Sequence, residues 1–188
     1  SKPGEAGGWV NYYNQAKMTS EEVAEELVAS ATIDAQYKKM LDKQMTHYNP
    51  DSQVMSWKIE YNHIESTIKK DKAYLRDIFD GNMVLDRNSF EIRKVTFDDN
   101  GNQVGQGEKL VEGQHYRLIP NGNGFNIQFL EDIDYATTIT YQTVINEEIH
   151  GSDEKHVYTN YVEDGNKNES SSKGEAYQRV LAKWHSDI

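Results

Sequence analysis

The chain has 188 residues, 36% of them hydrophobic, with a formal net charge of −11 and no cysteine. That acidic balance repels phosphate backbones and argues against nucleic acid as a partner. The missing cysteine excludes disulfides, thiolate catalysis and cysteine-ligated zinc without fixing the compartment, and no apolar run is long enough for a transmembrane helix, so no membrane contact is expected.

Ser1 to Gly8 is polar and glycine-rich, as a flexible end would be. Thr19 and Glu22 have the spacing of a capping box. Val23, Leu27 and Val28 follow at helical spacing, which predicts a helix from about Ser20 to Ala31. Residues 1–40 therefore read as a partly helical segment, linker or cap. Trp9, Tyr12 and Tyr13 within it are candidates for a binding surface or for packing the segment onto the rest.

Residues 41–188 read differently. Turn signals recur at Asn49-Pro50-Asp51, Asp80-Gly81-Asn82, Asn100-Gly101, Asn121-Gly122-Asn123-Gly124, Gly151-Ser152 and Asp164-Gly165-Asn166. That spacing suits an all-β sandwich or barrel. Met55, Trp57, Ile59 and Tyr61 alternate with polar residues, as do Phe125, Ile127 and Phe129. Tyr135 to Ile145 has strand composition. In Phe90 to Phe97 the alternation slips by one residue, which predicts a β-bulge at Arg93-Lys94 before a tight Asn100-Gly101 hairpin. Asn166 to Gly174 reads as a polar loop, and Tyr177 to Trp184 fits strand or short helix equally. Only 38 residues are Leu, Ile, Val or Phe, so the core is sparse. Twelve tyrosines and three tryptophans supply the remaining buried area.

Several kinds of chemistry are missing. There is no phosphate-binding glycine loop and no nucleophile elbow. No cofactor or metal is expected: His150 and His156 are poorly spaced ligands, and Asp98 to Asn102 lacks the position-12 glutamate of a calcium loop. Glu131-Asp132 and Glu147-Glu148 are adjacent acids. On a strand such neighbours point to opposite faces, so neither pair makes a glycosidase dyad.

The informative anomaly is polar residues at apolar parity. Lys43 lies between Leu41 and Met45, Asp77 between Leu75 and Phe79, and Asn160 between Tyr158 and Val162. If each segment is a strand, all three point into the core, where a lone charge is costly. Burial favours a neutral, nucleophilic lysine and a protonated aspartic acid. Such an amine can attack the Asn160 carboxamide and release ammonia, with Asp77 shuttling protons. Periodicity alone leaves the alternative open that Lys43 reaches water, Asp77 caps a turn and Asn160 bonds backbone.

Residues 41–164 resemble the collagen-binding-type (MSCRAMM) adhesin domain of Gram-positive surface proteins. Leu41-Asp42-Lys43-Gln44 resembles its first-strand lysine motif, and Val54 to Asn62 its tryptophan strand. Leu75 to Gly81 resembles its aspartate segment. Asn88 to Ile92, the Asn100-Gly101 hairpin, Gly124 to Ile127 and Thr138 to Thr143 follow in order. Tyr158-Thr159-Asn160 resembles the motif that opens the last family strand, although Tyr161 follows where the family has small residues. The resemblance implies a Greek-key, Ig-like β-sandwich with an isopeptide bond between Lys43 and Asn160, assisted by Asp77. Lys58 is a rival nucleophile, but its parity is opposite to Trp57 and places it outside.

The resemblance implies no enzyme beyond this single turnover. It implies an extracellular, cell-wall-anchored adhesin or stalk domain. Its partners would be neighbouring domains and a host extracellular-matrix protein, collagen or another, which the family grips between two tandem domains. The alternative is a carbohydrate-binding or spacer module of a secreted protein, which would bind glycan through exposed coplanar aromatics.

Overall fold

The computed structural model describes residues 38–150 and 156–178. The predicted helix at 20–31, the aromatics Trp9, Tyr12 and Tyr13, the Gly151-Ser152 turn and most of 177–184 lie outside these residues. The described chain is all-β, with one short 3₁₀ turn at Lys70–Lys72. Its strands are β1 (Leu41–Asn49), β2 (Val54–Tyr61), β3 (Tyr74–Phe79), β4 (Met83–Val95), β5 (Tyr116–Pro120), β6 (Gly124–Phe129), β7 (Ala136–Ile145), β8 (His156–Asp164) and β9 (Glu169–Ala176). They form two antiparallel sheets, in the orders β1-β2-β7-β4 and β9-β8-β3-β6-β5.

Period-2 alternation sets which faces meet. Met55, Trp57, Ile59 and Tyr61 on β2 are buried, as are Phe125, Ile127 and Phe129 on β6 and Ile139 and Tyr141 on β7. These inward faces make one core. The Trp57 indole Nε1 donates to Thr143 Oγ1 at 2.9 Å, whereas the buried Tyr61 hydroxyl has no hydrogen-bond partner. Large amphipathic rings thus replace the scarce aliphatics.

Several predicted turns form through their own side chains. Asn49 Oδ1 accepts from the Asp51 and Ser52 amides. Asp98 Oδ1 accepts from the Asn100 and Asn102 amides. Gly101 supplies the positive φ of +83° after Asp98 C=O accepts from the Gly101 amide. Asp98 therefore builds a turn.

Two predicted features need correction. The irregularity in β4 lies between Asp86 and Glu91, and the ladder to β7 runs unbroken through Arg93 and Lys94. The parity slips because Val95 is buried on the outer face of the sheet, beside Gly107, which sits directly over the Lys94 carbonyl. Apolar residues there mark two covered faces, and no extra residue is present.

The second correction concerns Asn166 to Gly174. The turn ends at Asn168, and Glu169–Ala176 is an edge strand paired with β8. Its inward positions are Ser170, Ser172, Gly174 and Ala176. All are small because β1 approaches closely there. Ser170 Oγ accepts from the Lys43 amide at 2.9 Å, and Ser172 Oγ accepts from the Met45 amide at 3.1 Å. A Cβ on Gly174 would come within 2.7 Å of Met55 Sδ. The serines tie the edges of the two sheets together and fix the backbone that carries Lys43.

Candidate functional site

Lys43, Asp77 and Asn160 meet in the core between the sheets. Each is almost fully buried. Lys43 projects from edge strand β1 of one sheet. Asp77 and Asn160 project from adjacent strands β3 and β8 of the other, in which Phe79 is paired with Asn160 and Asp77 with Val162. The three polar residues at apolar parity thus converge on one point.

A fourth residue joins them. Tyr141, on β7, is paired with Trp57 and has its ring buried in the same space. Its hydroxyl lies 2.7 Å from Lys43 Nζ, 2.8 Å from Asn160 Nδ2 and 2.9 Å from Asp77 Oδ2. It accepts from both nitrogens and donates to the carboxyl. Lys43 Nζ also donates directly to Asp77 Oδ2. Tyr141 lies in a stretch that resembles a family strand, but as a tyrosine among inward residues it reads as core. Its inward parity beside Ile139 and Thr143 was the available signal.

The walls are aromatic. The Phe125 and Tyr141 rings meet edge to face at 4.9 Å, and Phe90 stacks on Tyr141 at 6.2 Å. Lys43 Nζ is 5.0 Å from the Tyr141 ring centroid and 5.9 Å from that of Trp57. Such a surround offers little solvation to charge. Burial lowers the Lys43 pKa against the pull of Asp77. Burial likewise raises Asp77 against the pull of Lys43. Both shifts favour the neutral amine and the neutral acid. Burial, reinforced by Asp77, raises the Tyr141 phenol well above its ordinary value, so it stays protonated. Asp77 Oδ1 and Asn160 Oδ1 have no hydrogen-bond partner although both are buried.

The other candidates separate from this site. Lys58 faces outward, pairs with Glu60 at 3.6 Å and lines a polar groove on the outer face of the β1-β2-β7-β4 sheet. Asp132 holds the 3₁₀ turn by accepting from the Lys70 amide at 2.7 Å. Glu147 accepts from the Tyr158 hydroxyl, and Glu148 sits on the surface beside His150. Among the described residues, no three His, Asp or Glu side chains converge as a metal site. The aromatics more than a third exposed there are Tyr74 and Tyr177, on separate segments.

Residues 38–173 match the model of a domain family described as "Collagen binding domain". No curated protein matches the chain. Among solved structures, collagen adhesin from Staphylococcus aureus superposes with a TM-score of 0.52 at 15% identity, over 74% of this chain and 49% of that one. The Enterococcus faecalis MSCRAMM ACE, described as binding its ligands by the collagen hug model, gives 0.51 at 13% identity, over 76% and 53%. The collagen-binding subdomain ACE19 of the same surface protein gives 0.48 at 12% identity, over 77% and 99%. The chain thus spans about half of the two longer adhesin structures and nearly all of the isolated subdomain.

Proposed function

Since this chain belongs to the collagen-binding domain family, we propose that it serves as a surface adhesin domain whose two sheets are covalently joined by a Lys43–Asn160 isopeptide bond. The Lys43–Asp77–Tyr141–Asn160 cluster is the observation that carries this reading. A neutral Lys43 amine attacks Cγ of Asn160. Neutral Asp77 gives up its own proton as it takes the one that the attacking nitrogen loses, and the carboxamide nitrogen gains one proton and leaves as ammonia. A proton on Asp77 would supply a donor for the carboxamide oxygen, which has no partner and must take up negative charge during attack.

The bond would join β1 to β8, the last but one of the described strands, because β9 follows. It closes a loop of 117 residues. By analogy with disulfides this constrains the unfolded chain by about 4–5 kcal/mol. It also bridges the two sheets, so force across the sandwich loads a covalent bond. We read the strand order as Greek-key and Ig-like, since β3, β4 and β5 alternate between sheets. Family membership supports an extracellular, cell-surface location; in our reading the domain is anchored to the cell wall and takes collagen or another matrix protein as its ligand.

Intact mass spectrometry tests the bond: the chain is expected about 17 Da below its sequence mass, the loss of one ammonia that amine attack requires. A chain at full mass sinks the cross-link. Binding to immobilised triple-helical collagen tests the ligand. Saturable binding that heat denaturation of the collagen abolishes is expected, and no binding by the whole protein that carries this chain overturns that assignment.

A further inference from the structure

We propose that Tyr141 is a catalytic residue of the cross-linking step and delivers the proton with which the Asn160 amide nitrogen leaves. This rests on the cross-linking reading above and assigns a group within it. Asp77 alone does not complete the proton path. Its Oδ2 touches Lys43 Nζ and the Tyr141 hydroxyl, and no hydrogen bond links it to Asn160. The group in contact with the departing nitrogen is the Tyr141 hydroxyl, 2.8 Å from Nδ2.

The chemistry of that contact changes during the reaction. In the starting carboxamide, Nδ2 is a donor and the phenol oxygen accepts. Once Lys43 Nζ has added to Cγ, Nδ2 is a tetrahedral amine with a lone pair, and the same contact can run in reverse. The proton released by the attacking nitrogen passes to Asp77 Oδ2, which it already touches. Asp77 returns a proton to the Tyr141 oxygen as Tyr141 gives its own to Nδ2. The Nζ–Cγ bond forms, the Cγ–Nδ2 bond breaks, and ammonia departs. Asp77 and Tyr141 end as they began. A phenol held protonated by burial suits this relay, because it gives up a proton only as it receives one. A phenylalanine would fill the same space between Phe90 and Phe125, so the hydroxyl is the part with a separate task.

The test follows the loss of about 17 Da after cell-free synthesis of the wild type and Tyr141→Phe. The variant is expected to keep its sequence mass, or to lose ammonia about 10²-fold more slowly or worse, the usual worth of a positioned proton donor. Replacing Tyr141 with p-aminophenylalanine, which keeps a donor and acceptor, is expected to restore cross-linking, while 4-fluorophenylalanine, which only fills the space, is not. If Tyr141→Phe fails to fold by circular dichroism, these two replacements decide. Equal behaviour of the pair, whether both cross-link or neither does, overturns the relay. Cross-linking of Tyr141→Phe at the wild-type rate overturns it and leaves the bond standing. A wild-type chain at full mass overturns both.

Discussion

Asp77→Ala is expected to give a folded chain at full sequence mass, with Lys43 and Asn160 both present and unjoined. The two partners remain in place because their strands are positioned by other contacts: β1 by the ladder to β2 and the Ser170 and Ser172 hydroxyls, β8 by β3 and β9. Without Asp77 the lysine loses the group that raises its pKa, so the amine stays neutral and nucleophilic. The missing part is the acceptor for the proton of the attacking nitrogen. A loss of about 10²–10⁴ in rate is expected. An Asp77→Ala chain that still sheds ammonia at the wild-type rate would show that the carboxyl is structural.

Stability separates the bond from the buried groups. Lys43→Met removes the amine, keeps most of the side-chain volume and prevents the bond. It is expected to lower the melting temperature on the order of 10–20 °C, from about 4–5 kcal/mol of lost loop constraint in a domain of this size. The double variant Lys43→Met/Asp77→Leu removes both buried ionisable groups. If the bond is the main contribution, the double variant melts close to the single one, since exchanging a buried pair for apolar residues is often neutral or stabilising.

The site was largely legible because strands simplify the question. One face of a sandwich strand is buried, so a polar residue at apolar parity is either misassigned or paired with other buried polar groups. Lys43, Asp77 and Asn160 each broke an alternation that their neighbours obeyed, and their strands converge. Tyr141 broke nothing. A tyrosine suits a core by its ring and a reaction centre by its hydroxyl, and periodicity cannot separate the two roles. The edge strand β9 was hidden for the opposite reason. Its inward residues are Ser, Ser, Gly and Ala, chosen by the nearness of the β1 backbone, so no apolar alternation announces them. Val95 misled because the segment that follows the hairpin covers the outer face locally. In each miss, a tertiary neighbour set the residue type and local pattern did not.

The same dependence on close approach makes Gly124→Ala a strongly damaging substitution. Gly124 opens β6 and is paired with Ile78 on β3. A Cβ there would lie 1.8 Å from the Asp77 carbonyl oxygen and 3.1 Å from the Ile78 Cα. Both obstacles are backbone, so no side-chain rotation relieves them. The strands must separate, at a cost of about 1–3 kcal/mol or more. The displaced segment carries Asp77, whose hydrogen bonds to Lys43 and Tyr141 need close contact. Gly124→Ala is therefore expected to lower the urea midpoint and to slow ammonia loss together. Gly122→Ala is the control: φ is +59° but nothing lies within 4 Å of its added Cβ. It should cost about 1–2 kcal/mol of backbone strain and leave cross-linking at the wild-type rate. Equal cross-linking rates in the two variants would show that Asp77 is placed by something other than the β3–β6 contact.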